Sequence, residues 1–172
     1  ILKYFREILP PFDSDLAKRL RQSLGRRGIE IITQAAVQKI RENPDGSLEV
    51  DYLRKEKSET IAADKVLMAV GRKANVEGLN LELACVEYSA KGIRVDADMR
   101  TTSPTVYAIG DVNGMMMLAH AAVFQGKKAL DHICGKTDMI DLSVMPSAVF
   151  TMPEAASVGL TEDECKKKGI PY

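Results

Sequence analysis

The sequence has no surplus of charge of either sign, since its 172 residues carry 24 Lys and Arg against 24 Asp and Glu. Without a basic field to hold phosphates or an anionic surface, neither nucleic acid nor a membrane is an expected partner. Cysteine is scarce as well. Cys85, Cys134 and Cys165 form no CxxC pair and match no zinc-ligand spacing. An odd, scattered set argues against a disulfide framework and points to a reducing, cytoplasmic setting. No apolar run is long enough to span a bilayer, and the first residues show no secretory pattern. The sequence opens on Ile1 rather than Met, which leaves room for a targeting segment lost upstream. Internal repeats and low-complexity tracts are also absent. What is present is a hydrophobic fraction of 45%, enough for one core or two small ones.

Ile1 to Phe5 reads as a short strand, and Leu9-Pro10-Pro11-Phe12 as an extended connector. Asp13 or Ser14 can cap a helix whose Leu16, Leu20 and Leu24 share one face and which ends at Gly25 and Gly28. A strand from Ile29 to Thr33 completes an α/β step. From Ala36 to Ile61 the pattern becomes an antiparallel meander, with turns at Asn43-Pro44-Asp45-Gly46 and near Lys55 to Ser58. Asp64 to Gly71 is a continuous apolar run of the kind buried in a parallel sheet. Gly71 to Asn75 breaks it, Val76 to Val86 is a loop or short helix, and Gly92 to Asp96 is a further short strand. Thr105 to Ile109 is β-branched and aromatic, and stops at a Gly110-Asp111 corner before an apolar helical stretch running to Gly135. A linker from Asp138 to Met145 leads to strands at Ala148 to Thr151 and Ala156 to Leu160. Thr161 with Glu164 then opens a capping box for a helix that ends at Gly169.

The Gly110-Asp111 corner is the candidate site. A strand, a tight corner and a helix start place a backbone and one carboxylate where they can meet a polar ligand closely. Taken alone, Asp111 reads more readily as a cap for the following turn or helix than as a ligand contact. Cys85 reads as a small core residue, with nothing nearby to activate its thiol. Met115, Met116 and Met117 point in different directions and suit adaptable packing rather than a metal site. Lys166 to Lys168 read as a solvated helix end.

The segments DKVLMAVGRKAN, TTSPTVYAIGD, MLAHAAVFQG and PSAVFTMPEAASVGLTEDE, in this order and spacing, resemble the flavoprotein disulfide reductases, the class I pyridine nucleotide-disulfide oxidoreductases. ILPPFDSD and Leu118-Ala119-His120 bring the chain nearest to the dihydrolipoamide dehydrogenase branch. The resemblance implies an α/β fold: partial Rossmann-like three-layer domains for FAD and NAD(P), an antiparallel meander, and the start of an α+β dimerisation domain. It implies three parts: 1–73 from the NAD(P)-binding domain, 74–142 from the FAD-binding domain, and 143–172 from the dimerisation domain. It also shows what is missing from these residues, namely a GxGxxG loop, a redox cysteine pair and a His-Glu dyad. A central fragment is therefore expected, with no catalytic residue and no metal, and with cut sheet edges that favour self-association or partial disorder at one end.

By the same resemblance, Asp111 holds a ribityl hydroxyl of FAD at the Gly110 corner. The amides around Met117, Leu118 and Ala119 face the anionic edge of the reduced flavin, and His120 packs structurally beside it rather than moving protons. Gly71 falls to the NAD(P) side. Lys3 stands where NAD-specific members carry an acidic residue; a lysine there tolerates or attracts a 2′-phosphate, so the implied cofactor is NAD with NADP open beside it. The implied reaction passes electrons from a dihydrolipoyl group on a carrier protein of a 2-oxo acid dehydrogenase complex, through an enzyme disulfide and FAD, to NAD+. The implied parent is a homodimer. Other readings are another disulfide reductase (glutathione, mercuric or coenzyme A disulfide), a soluble transhydrogenase of the same fold, or a non-catalytic assembly module.

Overall fold

A computed structural model describes residues 1–137 and 139–172. In chain order its elements are β1 (Leu2–Lys3), α1 (Ser14–Arg26), β2 (Ile32–Thr33), β3 (Ala35–Glu42), β4 (Leu48–Arg54), β5 (Lys57–Ala63), β6 (Tyr88–Ser89) and β7 (Gly92–Ile93). They continue with a 3-10 helix (Gly110–Asn113), α2 (Ala119–Ile133), a second 3-10 turn (Leu142–Val144), β8 (Ser147–Val149), β9 (Ala155–Ser157) and α3 (Glu162–Lys168). The chain divides into two compact units, one of residues 1–69 with 146–172 and one of residues 70–145. Asp138, where the linker was expected to begin, lies outside the described residues.

In the first unit β1 runs parallel to β2, joined through α1. The leucine face of α1 is buried as its spacing requires: Ala17 and Leu20 pack with Ile8 and Ala155, flanked by Leu16 and Leu24. Asp13 occupies the N-cap of α1 but makes no capping bond there. Its Oδ1 instead accepts from the amide of Glu162, 2.6 Å away in the first turn of α3. The expected local cap is thus diverted to another helix, where an anion meets unpaired amides just as well. Arg27 adds a second tie by donating to the carbonyl of Met152 at 2.8 Å.

The meander forms as β3-β4-β5. Lys55 and Glu56 both take positive φ, 47° and 64°, which makes the two-residue turn whose twist matches the flanking strands. Val50 and Tyr52 are buried on one face, while Arg41, Asp51 and Thr60 form a polar ladder on the other. The guanidinium of Arg41 and the hydroxyl of Thr60 hold the Asp51 carboxyl below its usual range. The closing capping box forms in full: Thr161 Oγ1 accepts from the Glu164 amide, and Glu164 accepts from the Thr161 amide at 2.9 Å.

Three expectations fail. The Asp64 to Gly71 run is extended but unpaired, with Leu67 90% and Val70 85% exposed. Thr105 to Ile109 makes a single antiparallel bridge, Tyr107 to Arg100, rather than a strand. The cause is the same in both. A buried parallel strand exists through hydrogen-bonded neighbours on its two sides; among the described residues the first segment has no paired strand, and the second has residues 99–101 on one side alone. Cys85 is exposed rather than in the core. It closes a turn with φ of 54°, its amide bonded to Glu82, while its neighbours Leu81 and Val86 supply the buried contacts.

The second unit is built on Leu81, Val86, Ile93 and Ala108, with Val76, Val95, Val106 and Val112 packed around them. The hairpin of β6 and β7 lies against the 3-10 helix so tightly that side chains are excluded. A Cβ on Gly114 would sit 1.7 Å from the carbonyl oxygen of Lys91, and one on Gly92 would sit 2.6 Å from the backbone of Asn113.

Candidate functional site

The Gly110-Asp111 corner is a 3-10 turn locked from below. Gln125, 1% exposed on the inner face of α2 between Ala121 and Ala129, directs its Oε1 at two donors: the Gly110 amide at 2.7 Å and Asn113 Nδ2 at 2.9 Å. Asn113 Nδ2 also donates to the Ala108 carbonyl at 3.1 Å, and its Oδ1 accepts from the Met115 amide at 3.0 Å. Gln125 Oε1 and both side-chain polar atoms of Asn113 are used, which lets the network stabilise and orient the corner rather than cost energy. The backbone of Asp111 is therefore held rigidly while its side chain remains half-exposed.

Asp111 is not an isolated acceptor. Its Oδ2 pairs with Arg72 Nη2 at 2.7 Å, whereas nothing among the described residues donates to Oδ1. Arg72 directly follows Gly71, whose backbone is open to solvent at φ 120°. Sequence reasoning passed over Arg72, Asn113 and Gln125. The only visible signal was a polar residue interrupting the alanine face of α2 at the i+4 position.

α2 starts at Ala119, with Leu118 as an N-cap in extended conformation and no side-chain cap. The three amides expected to face a ligand divide. Leu118 donates to the Met116 carbonyl at 3.0 Å and is spent internally, while the Met117 and Ala119 amides have no acceptor among the described residues. His120 lies exposed in the first turn of α2. Gly110, Asp111 and Met117 to His120 thus share the second unit with Gly71. Lys3 belongs to the first unit, where its ammonium lies 5.3 Å from the ring centre of Phe5. Among the described residues no cluster of His, Cys, Asp or Glu could hold a metal ion, and no helix is long and apolar enough to cross a membrane.

An open carboxylate oxygen, a neighbouring guanidinium and unspent amides at a helix start suit a ligand that offers hydroxyl donors and a delocalised negative edge. Comparison with known proteins gives that chemistry a context. The family described as pyridine nucleotide-disulphide oxidoreductase matches residues 1–126. A dihydrolipoyl dehydrogenase of Thermus scotoductus is 40% identical over 171 residues, covering 98% of this chain and 37% of the relative. One from Bacillus subtilis is 39% identical, covering 99% of this chain and 36% of the relative. Among solved structures, LpdA from Mycobacterium tuberculosis superposes with a TM-score of 0.83 at 28% identity, over 97% of this chain and 36% of that one. The HOCl-induced flavoprotein disulfide reductase RclA from Escherichia coli gives 0.81 at 27% identity, over 98% of this chain and 38% of that one. The chain thus spans little more than a third of the length of the curated relatives it matches.

Proposed function

Because the chain belongs to the pyridine nucleotide-disulphide oxidoreductase family, we propose that it is the flavin-contacting centre of a dihydrolipoyl dehydrogenase that reduces NAD+ or NADP+. The observation that carries this reading is the corner itself: a rigidly held Asp111 with one open carboxylate oxygen, followed by unspent amides where α2 begins. Asp111 Oδ1 accepts a ribityl hydroxyl, and the Met117 and Ala119 amides, at the positive end of α2, favour the negative pyrimidine edge of the reduced ring. His120 packs beside that edge. When bound, FAD supplies the two-electron relay between a dithiol and the nicotinamide. The residues of this chain bind and orient it, and none of them takes part in thiol exchange. Gly71 and Lys3 serve the nicotinamide nucleotide, Lys3 leaving room for a 2′-phosphate.

The parent protein is a cytoplasmic homodimer that serves the lipoyl carrier of a 2-oxo acid dehydrogenase complex. Its NAD(P) domain runs to about Lys73 and its FAD domain to about Leu142, with the dimerisation domain following. Breaks between compact units at 69/70 and 145/146 fall near those boundaries, with residues 146–172 grouped with 1–69. The likeness to RclA supports a second reading, in which the substrate is another disulfide. The experiment is a titration of flavin fluorescence with the 172-residue chain, beside an assay of lipoamide-dependent NADH production. The expected result is flavin binding that Asp111→Asn weakens, without turnover. NADH production by the homogeneous chain, or flavin binding indifferent to Asp111→Asn, would refute the reading.

A further inference from the structure

We propose that Arg72 is a positioning residue of the flavin half-site: its guanidinium clamps Asp111 Oδ2 and leaves Oδ1 as the fixed acceptor for a polyol hydroxyl. The inference rests on the flavin reading above and adds to it a residue that the reading did not contain. Three observations carry it. The backbone of Asp111 is immobilised by the Gln125 and Asn113 network, so only its side-chain rotamer is left to be chosen. The 2.7 Å contact to Arg72 Nη2 chooses it, and engages one carboxylate oxygen only.

Arg72 is itself tethered. Ala74, two residues on, is buried, and Val76 packs on the core cluster of the second unit. At 72% exposure the Arg72 side chain is no part of the core, so its removal leaves the fold intact. Exposed ion pairs are weak, so the effect on ligand affinity is about two- to fivefold rather than all-or-none.

The test titrates riboflavin and FAD separately into the intact 172-residue chain at low salt, reading flavin fluorescence. Arg72→Gln is expected to weaken both ligands about two- to fivefold, and Arg72→Lys to recover part of the loss. In an Asp111→Asn background, Arg72→Gln is expected to do nothing further, because the two act as one unit. Raising the salt to roughly 0.5 M narrows the gap between Arg72→Gln and the unsubstituted chain, as screening weakens the clamp. Equal affinity for Arg72→Gln alongside a weakened Asp111→Asn overturns the clamp and leaves the flavin reading standing. Loss of FAD but not riboflavin also overturns it, since Arg72 would then meet phosphate directly. No flavin binding by the unsubstituted chain overturns the flavin reading and the clamp together.

Discussion

Replacing Gln125 by Ala is expected to destabilise the second unit by about 2–4 kcal/mol, and the magnitude follows from counting donors. Gln125 Oε1 is the acceptor for the Gly110 amide at 2.7 Å and for one N–H of Asn113 at 2.9 Å, in a site where the glutamine is 1% exposed. Without it the Gly110 amide has no acceptor among the described residues, which costs roughly 1–3 kcal/mol when buried. Asn113 keeps its bond to the Ala108 carbonyl and loses the other, adding roughly 1 kcal/mol. Gln125→Met separates the hydrogen bonds from packing. It refills most of the volume with an adaptable apolar chain but supplies no useful acceptor, so most of the cost remains. The measurements are urea unfolding by far-UV circular dichroism and hydrogen exchange of peptides spanning residues 105–126. The Gly110 amide should exchange faster in both variants, while Val123→Ala, at a 71% exposed position on the same helix, should change little. A loss below about 1 kcal/mol for Gln125→Ala with Gly110 still protected, or full recovery by Gln125→Met, would refute the reasoning.

Gly114→Ala should be more damaging still, by over roughly 3 kcal/mol. Its Cβ would overlap the Lys91 carbonyl at 1.7 Å in a residue already at φ 67°, so loss of the unit's cooperative unfolding is the expected reading. Thr161 holds the Glu164 carboxyl below its ordinary 4.5, first through its amide and then through its hydroxyl. The folded value being depressed, this contribution is present above the unfolded value and fades as pH falls through the lower folded one. A carbon-detected NMR titration should put the Glu164 midpoint below 4.5, and Thr161→Ala should move it up. Tyr107→Phe removes the 2.7 Å contact between its hydroxyl and His132 Nδ1, near the end of α2. The expected cost is about 1 kcal/mol in thermal unfolding, and an unchanged midpoint would show that solvent serves both groups equally well.

Elements specified within a few residues were legible in the sequence. The leucine spacing of α1, the turns at Asn43 to Gly46 and Lys55-Glu56, and the Thr161-Glu164 box with its closing Gly169 all formed as read. In each, the groups that satisfy one another are near neighbours in the chain, so local period and backbone preference determine the outcome. The family too was legible, because its motifs are local strings. What only the tertiary structure decided are the pairings across long stretches of chain. Asp13 serves α3 rather than its own helix, Gln125 underpins the Gly110 corner, Arg72 clamps Asp111, and the apolar run from Asp64 to Gly71 stays exposed for want of neighbouring strands. Residue types announce that Asp111 can accept and Arg72 can donate. Their meeting depends on where the whole chain brings two distant backbones, and no window of local sequence contains that information.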